Sequence, residues 1–139
     1  MILYCAGAIR GNVKFQKYYK EIIEIIGSLG HTALSELNKN FISSVPLTDN
    51  EIFKRDMKWL SKSRALIAEI SGPSTGVGFE IAYALYKMKI PVLALANTKT
   101  DNLSALLNGC NSNLLQVRNY GDEEEMREII TGFIEKLDK

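Results

Sequence analysis

Short apolar runs alternate with longer amphipathic stretches along the chain. The apolar runs predict strands at about 2–7, 31–36, 64–70, 91–96 and 114–118, and the stretches with helical periodicity predict helices at about 14–28, 48–62, 76–88, 101–108 and 122–137. The runs at 64–70 and 91–96 are almost continuously apolar, which is typical of parallel strands covered by helices on both faces. The alternation therefore predicts one α/β domain over residues 1–139.

The expected architecture is a doubly wound, flavodoxin or Rossmann-like sheet of five parallel strands in the order 2-1-3-4-5. Ligands of such sheets bind beyond the carboxyl ends of the strands, near the point where the strand order reverses. With this order, that point lies between the first and third strands. The segments Gly7-Ala-Ile-Arg-Gly11 and 71–80 follow these two strands, so we expect both at the binding site.

The second of these loops, Ser71-Gly-Pro-Ser-Thr-Gly-Val-Gly-Phe-Glu80, is rich in small residues and delivers a carboxylate into the start of a helix. Its glycines allow close approach to a ligand, and the free N–H groups at the helix start suit phosphate or another anion. Glu80 has two interpretations. It could complement the helix dipole, or it could act as a nucleophile or general base at the edge of the sheet.

The predicted helix at 48–62 supplies a second candidate carboxylate, Asp56. This residue falls inside the apolar arc of the helix, where a carboxylate needs hydrogen-bond or charge partners. It is either a functional group or a structural residue bonded to neighbouring amides. The apolar arc comprises Ile52, Phe53, Met57, Trp59 and Leu60, and the opposite side Lys54, Arg55, Lys58, Ser61 and Lys62.

Tyr4, within the first predicted strand, is a third candidate. Tyrosine is common in strands, so a core position is the default interpretation, but a buried hydroxyl still needs a partner. A phenol at this height in the strand could reach a carboxylate standing over the sheet edge. Two other aromatic residues, Phe41 and Phe53, could stack on a planar base.

Charge and composition favour a small-molecule ligand. The chain has 17 basic and 16 acidic side chains, so its net charge of +1 gives no reason to expect a nucleic-acid polymer or a membrane surface as partner. The apolar start is too short for a spanning segment, and we expect a cytoplasmic protein. Cys5, Cys110 and His31 form no metal-binding spacing, so the cysteines are interpreted as structural thiols. Catalysis would then depend on carboxylates, hydroxyls and backbone groups.

Four motifs, which together run along nearly the whole chain, resemble the 2′-deoxynucleoside 5′-monophosphate N-hydrolase family, relatives of the nucleoside 2-deoxyribosyltransferases. They are Tyr4 with Gly7-Ala-Ile-Arg-Gly11, then Arg55-Asp-Met-Lys-Trp-Leu60, then Pro73-Ser-Thr-Gly-Val-Gly-Phe-Glu80, and then Leu103-Ser-Ala105. Four motifs in the same order and with similar spacing are far more specific than one glycine-rich loop.

The resemblance implies hydrolysis of the N-glycosidic bond of a deoxynucleotide, with no cofactor or metal, to a free base and 2-deoxyribose 5-phosphate. Glu80 would be the nucleophile that forms a covalent glycosyl-enzyme, Asp56 would handle the proton at the base and water, and Tyr4 would orient Glu80. Ser104 would reach the phosphate in the neighbouring subunit of a homodimer. The other residues implied at the 5′-phosphate are Gly7, Ala8, Ile9, Arg10, Gly11, Ser74 and Gly76.

The chain departs from the family pattern at two positions. Where the family typically has serine, this chain has Ala8, so one hydroxyl donor to the phosphate is missing. Where the family typically has histidine, this chain has Leu37, so the preferred base stays open. Four alternatives also stay open. They are base exchange by a deoxyribosyltransferase, cleavage of ribonucleotides by a phosphoribohydrolase, a response-regulator-like signalling domain and a non-catalytic nucleotide-binding module. Ser74, Thr75 and Gly76 together with Arg10 suit an anion, which favours nucleotide hydrolysis over base exchange.

Overall fold

All five expected strands form, and helices lie between them. A computed structural model describes residues 1–10, 13–100 and 103–139. Its strands are β1 (Ile2–Ala6), β2 (Thr32–Leu34), β3 (Ala65–Glu69), β4 (Val92–Asn97) and β5 (Leu115–Tyr120). Its α-helices are α1 (Gln16–Ser28), α2 (Asp49–Lys62), α3 (Thr75–Ala82), α4 (Ala105–Asn108) and α5 (Glu123–Leu137), and Lys39–Phe41 forms one 3₁₀ turn.

The strands form one parallel sheet in the order β2-β1-β3-β4-β5, which confirms the prediction. In the register, Tyr4 of β1 lies between Leu34 of β2 and Leu66 of β3. β3 and β4 are buried at every position, as their continuous apolar runs indicate. The carboxyl ends of β1 and β3 are therefore neighbours, and the loops that follow them meet at one edge.

Two hydrophobic layers cover the sheet. On one face, Leu3 and Cys5 pack with residues of α1 and α5 such as Ile22 and Ile130. On the other face, Tyr4 and Ala6 pack with residues of α2 and α3, among them Leu60, Val77 and Ile81. Because side chains alternate along a strand, Tyr4 is directed to the face that α2 and α3 cover.

Capping residues fix where the helices of the second face begin. Thr48 and Glu51 form a reciprocal capping box at the start of α2. The Ser74 hydroxyl accepts a hydrogen bond from the Val77 amide at 3.3 Å and so caps α3. These caps set the positions of the helices that carry Asp56 and Glu80.

Most predicted boundaries differ from the structure by one or two residues, and two helices differ more. The helix expected at 76–88 is α-helical only to Ala82, and Tyr83–Met88 continues it as a π-helix that ends at Lys89, which has a positive φ of 55°. The helix expected at 101–108 is seen as Ala105–Asn108, and Asp101 and Asn102 lie outside the described residues. The π-helical backbone bonds are a local geometry that apolar periodicity does not separate from an α-helix.

Across the described residues, no helix combines the length and apolar character needed to cross a membrane.

Candidate active site

A cavity of about 650 Å³ opens at the carboxyl edge of the sheet, between the loops that follow β1 and β3. Its walls come from both loops and from one side of α2. The predicted site residues that line it are Gly7, Ile9, Arg10, Asp56, Ser74, Gly76 and Glu80. Widely separated segments of the chain therefore meet at one place, as the strand order predicts.

The Tyr4 hydroxyl donates a short hydrogen bond to Oε2 of Glu80. Tyr4 is 4% exposed, so its phenol lies beneath the cavity and supports the carboxylate that lines it. Burial, with the nearby negative charges of Glu80 and Asp56, raises the pKa of Tyr4 far above its usual range. Tyr4 therefore keeps its proton at neutral pH and acts as a donor.

Burial also raises the pKa of Glu80 to about 7, against the lowering effect of the Tyr4 hydrogen bond and with a further raising effect from Asp56. With this pKa, the Glu80 carboxyl group is only partly ionised near neutral pH. A side chain in a cleft with such a shifted pKa is a candidate for catalysis.

Asp56 lies on the cavity side of α2, with its side chain 18% exposed. Desolvation raises its pKa, while the Arg55 charge and hydrogen bond lower it. The Tyr4 hydroxyl lowers the pKa of Asp56 as well, so one phenol affects the pKa of both carboxyl groups. Asp56 in turn raises the pKa of Glu80, and two carboxylates in different surroundings can divide acid and base roles.

The helical periodicity placed Arg55 with the lysines on the polar side of α2, and this expectation is wrong. Its side chain is only 17% exposed, and Nε donates to Oδ1 of Asp56 at 3.0 Å. The guanidinium lies over the Trp59 ring at 4.6 Å and reaches Oε2 of Glu36 at 3.6 Å. A flexible side chain can fold back along its own helix. Arg55 and Trp59 are four residues apart, and this spacing was the sequence signal for the contact between the guanidinium and the ring.

Of the two aromatic residues considered for base stacking, only Phe53 lines the cavity. It is 48% exposed and packs edge-on against Phe79, with ring centroids 6.3 Å apart. Phe41 instead packs edge-on against Trp59, at 5.9 Å. Phe53 is therefore the better candidate to contact a planar ligand.

The end of the cavity near the start of α3 has the features of an anion site. Ser74 and Gly76 stand at the first turn of the helix, where backbone N–H groups have no carbonyl partner within the helix, and Arg10 lies on the facing loop. A Cβ on Gly7 would lie 2.4 Å from Cγ of Tyr19, so the packing itself requires glycine there. A Cβ on Gly76 would have only the Ser74 hydroxyl, at 4.0 Å, as a near neighbour, so the fold leaves this space open.

Among the described residues predicted at the phosphate, Ala8 is not part of the wall of this cavity. Ala8 is half-buried, and its carbonyl oxygen accepts a hydrogen bond from the Gln16 side chain at 3.4 Å. Gly11 lies outside the described residues.

Ser104 lies in a different place, at the N-cap of α4. It lines a groove of about 680 Å³ between α3 and α4, on the other side of the turn at Pro73 and Ser74. Leu106 and Tyr86 also line this groove and are 86% and 63% exposed. Within its own chain, Ser104 is therefore separated from the cavity that holds Glu80.

The two cysteines are free; Cys5 is buried in β1 and Cys110 is half-buried at the groove. Within residues 1–10, 13–100 and 103–139, no three His, Cys, Asp or Glu side chains come together as a possible metal site. The side chains that line the cavity include the Arg10 guanidinium and four carboxylates, those of Glu36, Asp49, Asp56 and Glu80, and the Tyr4 phenol bonds the last of these.

Comparison with solved structures shows the same fold. A CMP N-glycosidase of Clostridium botulinum superposes with a TM-score of 0.70 and 18% identity, covering 96% of this chain and 99% of that chain. A 2-deoxyribosyltransferase of Bacillus psychrosaccharolyticus gives a TM-score of 0.65 at 17% identity, covering 91% and 90%.

Sequence comparison is more specific. A Methanosarcina mazei protein named "Putative 2'-deoxynucleoside 5'-phosphate N-hydrolase 1" is 39% identical over 141 residues, or 97% of this chain and 84% of that protein. The 5-hydroxymethyl-dUMP N-hydrolase of Esox lucius is 32% identical, covering 100% of this chain and 99% of the relative. The family model for nucleoside 2-deoxyribosyltransferase matches residues 3–121. The chain therefore belongs to the nucleoside 2-deoxyribosyltransferase family.

Proposed function

We propose that this protein hydrolyses the N-glycosidic bond of 2′-deoxynucleoside 5′-monophosphates. The observation that carries the proposal is the pairing of Glu80 with the Tyr4 hydroxyl in a cavity that Asp56 also lines. The names of the relatives from Methanosarcina mazei and Esox lucius, both N-hydrolases of nucleotides, support the same reaction.

In the first step, a carboxylate oxygen of Glu80 attacks C1′ of the sugar. The bond between C1′ and the base nitrogen breaks, its electron pair leaves with the base, and the base takes the proton of the Asp56 carboxyl group. The product is a glycosyl ester on Glu80. Stabilisation of an oxocarbenium-like centre by one carboxylate, with a second acting as acid, is the logic of retaining glycosidases.

In the second step, the Asp56 carboxylate takes a proton from water while the water oxygen attacks C1′. The ester bond breaks, its electron pair returns to Glu80, and 2-deoxyribose 5-phosphate is released. Asp56 is then protonated again, as it was at the start. The raised pKa of Asp56 suits a group that gives and takes a proton in turn.

The phosphate end of the cavity supports a nucleotide as substrate instead of a nucleoside. Arg10 supplies a positive charge, and Ser74 and Gly76 lie at a helix start whose dipole favours an anion. Binding the remote phosphate would place C1′ over Glu80, because binding energy away from the reacting bond can orient it.

A direct test is to incubate the protein with the common deoxynucleoside monophosphates, the matching ribonucleotides and the matching deoxynucleosides, and to measure free base. The proposal expects base release from one or more deoxynucleotides, with much slower release from the other two classes. Base exchange with an added free purine, at equal rates on nucleoside and nucleotide, would instead support a transferase. Binding with no release of base would support a non-catalytic nucleotide-binding module.

We further propose a homodimer in which Ser104 completes the phosphate site of the partner. The groove between α3 and α4 leaves Leu106 exposed beside Ser104, and apolar residues in such a position suit an interface between subunits. Ser74 lines this groove as well as the cavity, so a second subunit across the groove would be close to the phosphate end.

Mixing two impaired variants tests the shared site. A dimer of a Glu80→Ala subunit and a Ser104→Ala subunit has one site with both changes and one site with neither. We expect activity to return on mixing, and sedimentation to show a dimer. A monomer with full activity would contradict the shared site.

A further inference from the structure

A second carboxylate network lies behind the cavity, at the end of β3. Glu69 is only 3% exposed. Its Oε1 accepts a hydrogen bond from the Ser71 amide at 2.7 Å, and its Oε2 accepts from the Ser71 hydroxyl at 2.9 Å and from the Tyr120 hydroxyl. All three partners donate, so a carboxylate is well matched to this position. None of these residues enters the reaction steps above.

The same network ties together three segments of the carboxyl edge. The Ser71 hydroxyl accepts a hydrogen bond from the Asn97 amide at 2.6 Å, at the end of β4. The Ser71 carbonyl accepts from the Thr100 hydroxyl at 2.9 Å, in the segment that leads towards Ser104. Tyr120 is the last residue of β5. Ser71 is therefore held directly from β3 and β4, and from β5 through Glu69.

Ser71 begins the loop that ends at the α3 cap. Only Gly72 and Pro73 separate it from Ser74, and Gly72 is buried. A shift of Ser71 would thus be passed directly to the first turn of α3, which carries the anion-binding amides. Glu80 sits later on the same helix, where the Tyr4 hydroxyl holds it independently.

We propose that Glu69 is a positioning residue that holds Ser71 and thereby places the phosphate-binding turn at Ser74–Gly76. This inference rests on the reaction proposed above. It assigns to Glu69 a role in selecting nucleotides over nucleosides, exerted through the loop and not by contact with substrate. Tyr120 contributes to the same role through its hydrogen bond to Oε2 of Glu69.

The test is the variant Glu69→Gln, which keeps the shape of the side chain. The amide offers one oxygen and two N–H groups where three donors converge, so at least one donor loses its acceptor. We expect the ratio of kcat/KM on a deoxynucleotide to kcat/KM on its deoxynucleoside to fall between about tenfold and a hundredfold, because misplacement by the order of 1 Å can reduce rate about 10²-fold. Most of the loss should appear in KM for the nucleotide.

Two further variants control for a general loss of stability. Tyr120→Phe removes one donor and should lower the same ratio by a smaller factor. Ser63→Ala is the matched control, because Ser63 is 7% exposed, bonds the Trp59 carbonyl oxygen at 2.8 Å and lies just before the opposite end of β3. It removes a buried hydroxyl away from the cavity and should leave the ratio unchanged.

Amide hydrogen exchange provides a readout that does not need activity. In Glu69→Gln, the amides of residues 71–77 should exchange faster than in Ser63→Ala, while those of α1 and α5 exchange at similar rates in both.

If the wild-type protein releases no base, the proposed function fails, and the exchange measurement still decides the positioning role. If Glu69→Gln does not fold, Tyr120→Phe decides it. An unchanged substrate ratio with unchanged exchange at 71–77, or an equal fall of the ratio in Ser63→Ala, would overturn the inference.

Discussion

Glu69 and Glu80 flank the same loop, but their surroundings differ. Glu69 is fully buried, and both of its oxygens accept hydrogen bonds, from Ser71 and Tyr120. Glu80 lines an open cavity, and its Oε2 accepts a hydrogen bond from Tyr4. Burial raises the pKa of both residues, yet only for Glu80 do other carboxylates, Asp56 and Glu36, raise it further.

The difference indicates how a carboxylate can be used for structure or for chemistry. Where donors surround both oxygens, the group holds its neighbours in place and has little remaining capacity to react. Where one donor orients the carboxylate and a like charge lies nearby, the ionised form is destabilised. Its oxygen then remains available to attack an electrophile.

The largest expected effect comes from Glu80→Ala. We expect hydrolysis to fall by about 10⁴-fold or more, because the side chain would act on the transition state more than on the bound substrate. Binding of the deoxynucleotide should change little, and calorimetric titration can measure it. Activity near the wild-type rate would remove Glu80 from the role of nucleophile.

Asp56→Asn should reduce kcat by about 10²–10⁴-fold, since general acid–base assistance has this magnitude. Its thermal midpoint should stay close to that of the wild type, because Asp56 is partly exposed and its Arg55 partner also reaches Glu36. An active variant that melts much earlier would instead show that Asp56 is a structural partner of Arg55.

The sequence was sufficient to predict the sheet and most of the cavity. Apolar runs and helical periodicity depend on which side chains are buried, and the parallel order then brings the loops after β1 and β3 together. The expected closeness of Tyr4 and Glu80 followed from that order and from the resemblance to a family, and the hydrogen bond between them confirms it.

The roles of Arg55 and Glu69 could not be predicted in the same way. Helical periodicity gives the direction of a Cα–Cβ bond but not the path of a long side chain, and Arg55 folds back over Trp59. Glu69 follows a continuous apolar run, and its partner Tyr120 lies in a strand two positions away in the sheet. Only the three-dimensional register brings that donor to it.

Gly76→Ala tests the anion site without damage to the fold. The added methyl group would enter open space in the free protein, so the free energy of unfolding should rise by about 0.5–1 kcal/mol, as for glycine in a helix. A bound phosphate would meet that methyl group. The wild-type preference for a deoxynucleotide over its deoxynucleoside should be on the order of a hundredfold in kcat/KM, or about 2.7 kcal/mol. We expect Gly76→Ala to reduce this preference sharply.

Gly27→Ala is the matched control for this prediction. Gly27 lies in α1, and a Cβ there would also meet open space. It should raise stability by a similar amount and leave the preference unchanged. If Gly76→Ala also leaves it unchanged, the phosphate does not bind at the start of α3.

Tyr4→Phe should have a smaller effect on rate, about tenfold, because it removes one hydrogen bond to a charged group and no charge. The more informative effect of Tyr4→Phe is on the pH dependence of kcat/KM. The Tyr4 hydrogen bond lowers the pKa of Glu80, which stands at about 7, so its removal should move the acidic limb of kcat/KM to higher pH. The substrate phosphate titrates equally with both enzymes, so a shifted limb reports on the protein, and an unshifted limb would contradict the orienting role.

The smallest effect should be on stability, and it should have opposite signs at the two carboxylates. The pKa of Glu80 is raised from its usual 4.5 to about 7, so between these values the folded protein binds more protons than the unfolded chain, and stability falls as pH rises. Glu80→Gln should therefore be more stable than the wild type at pH values above about 7, by the order of 1–2 kcal/mol, and the difference should disappear below about pH 4.5. Glu69→Gln should be less stable than the wild type at neutral pH, because a buried donor at Ser71 or Tyr120 loses its acceptor. Denaturant unfolding of the three proteins at several pH values gives both signs, and a destabilised Glu80→Gln at neutral pH would mean that Glu80, like Glu69, is held mainly for structure.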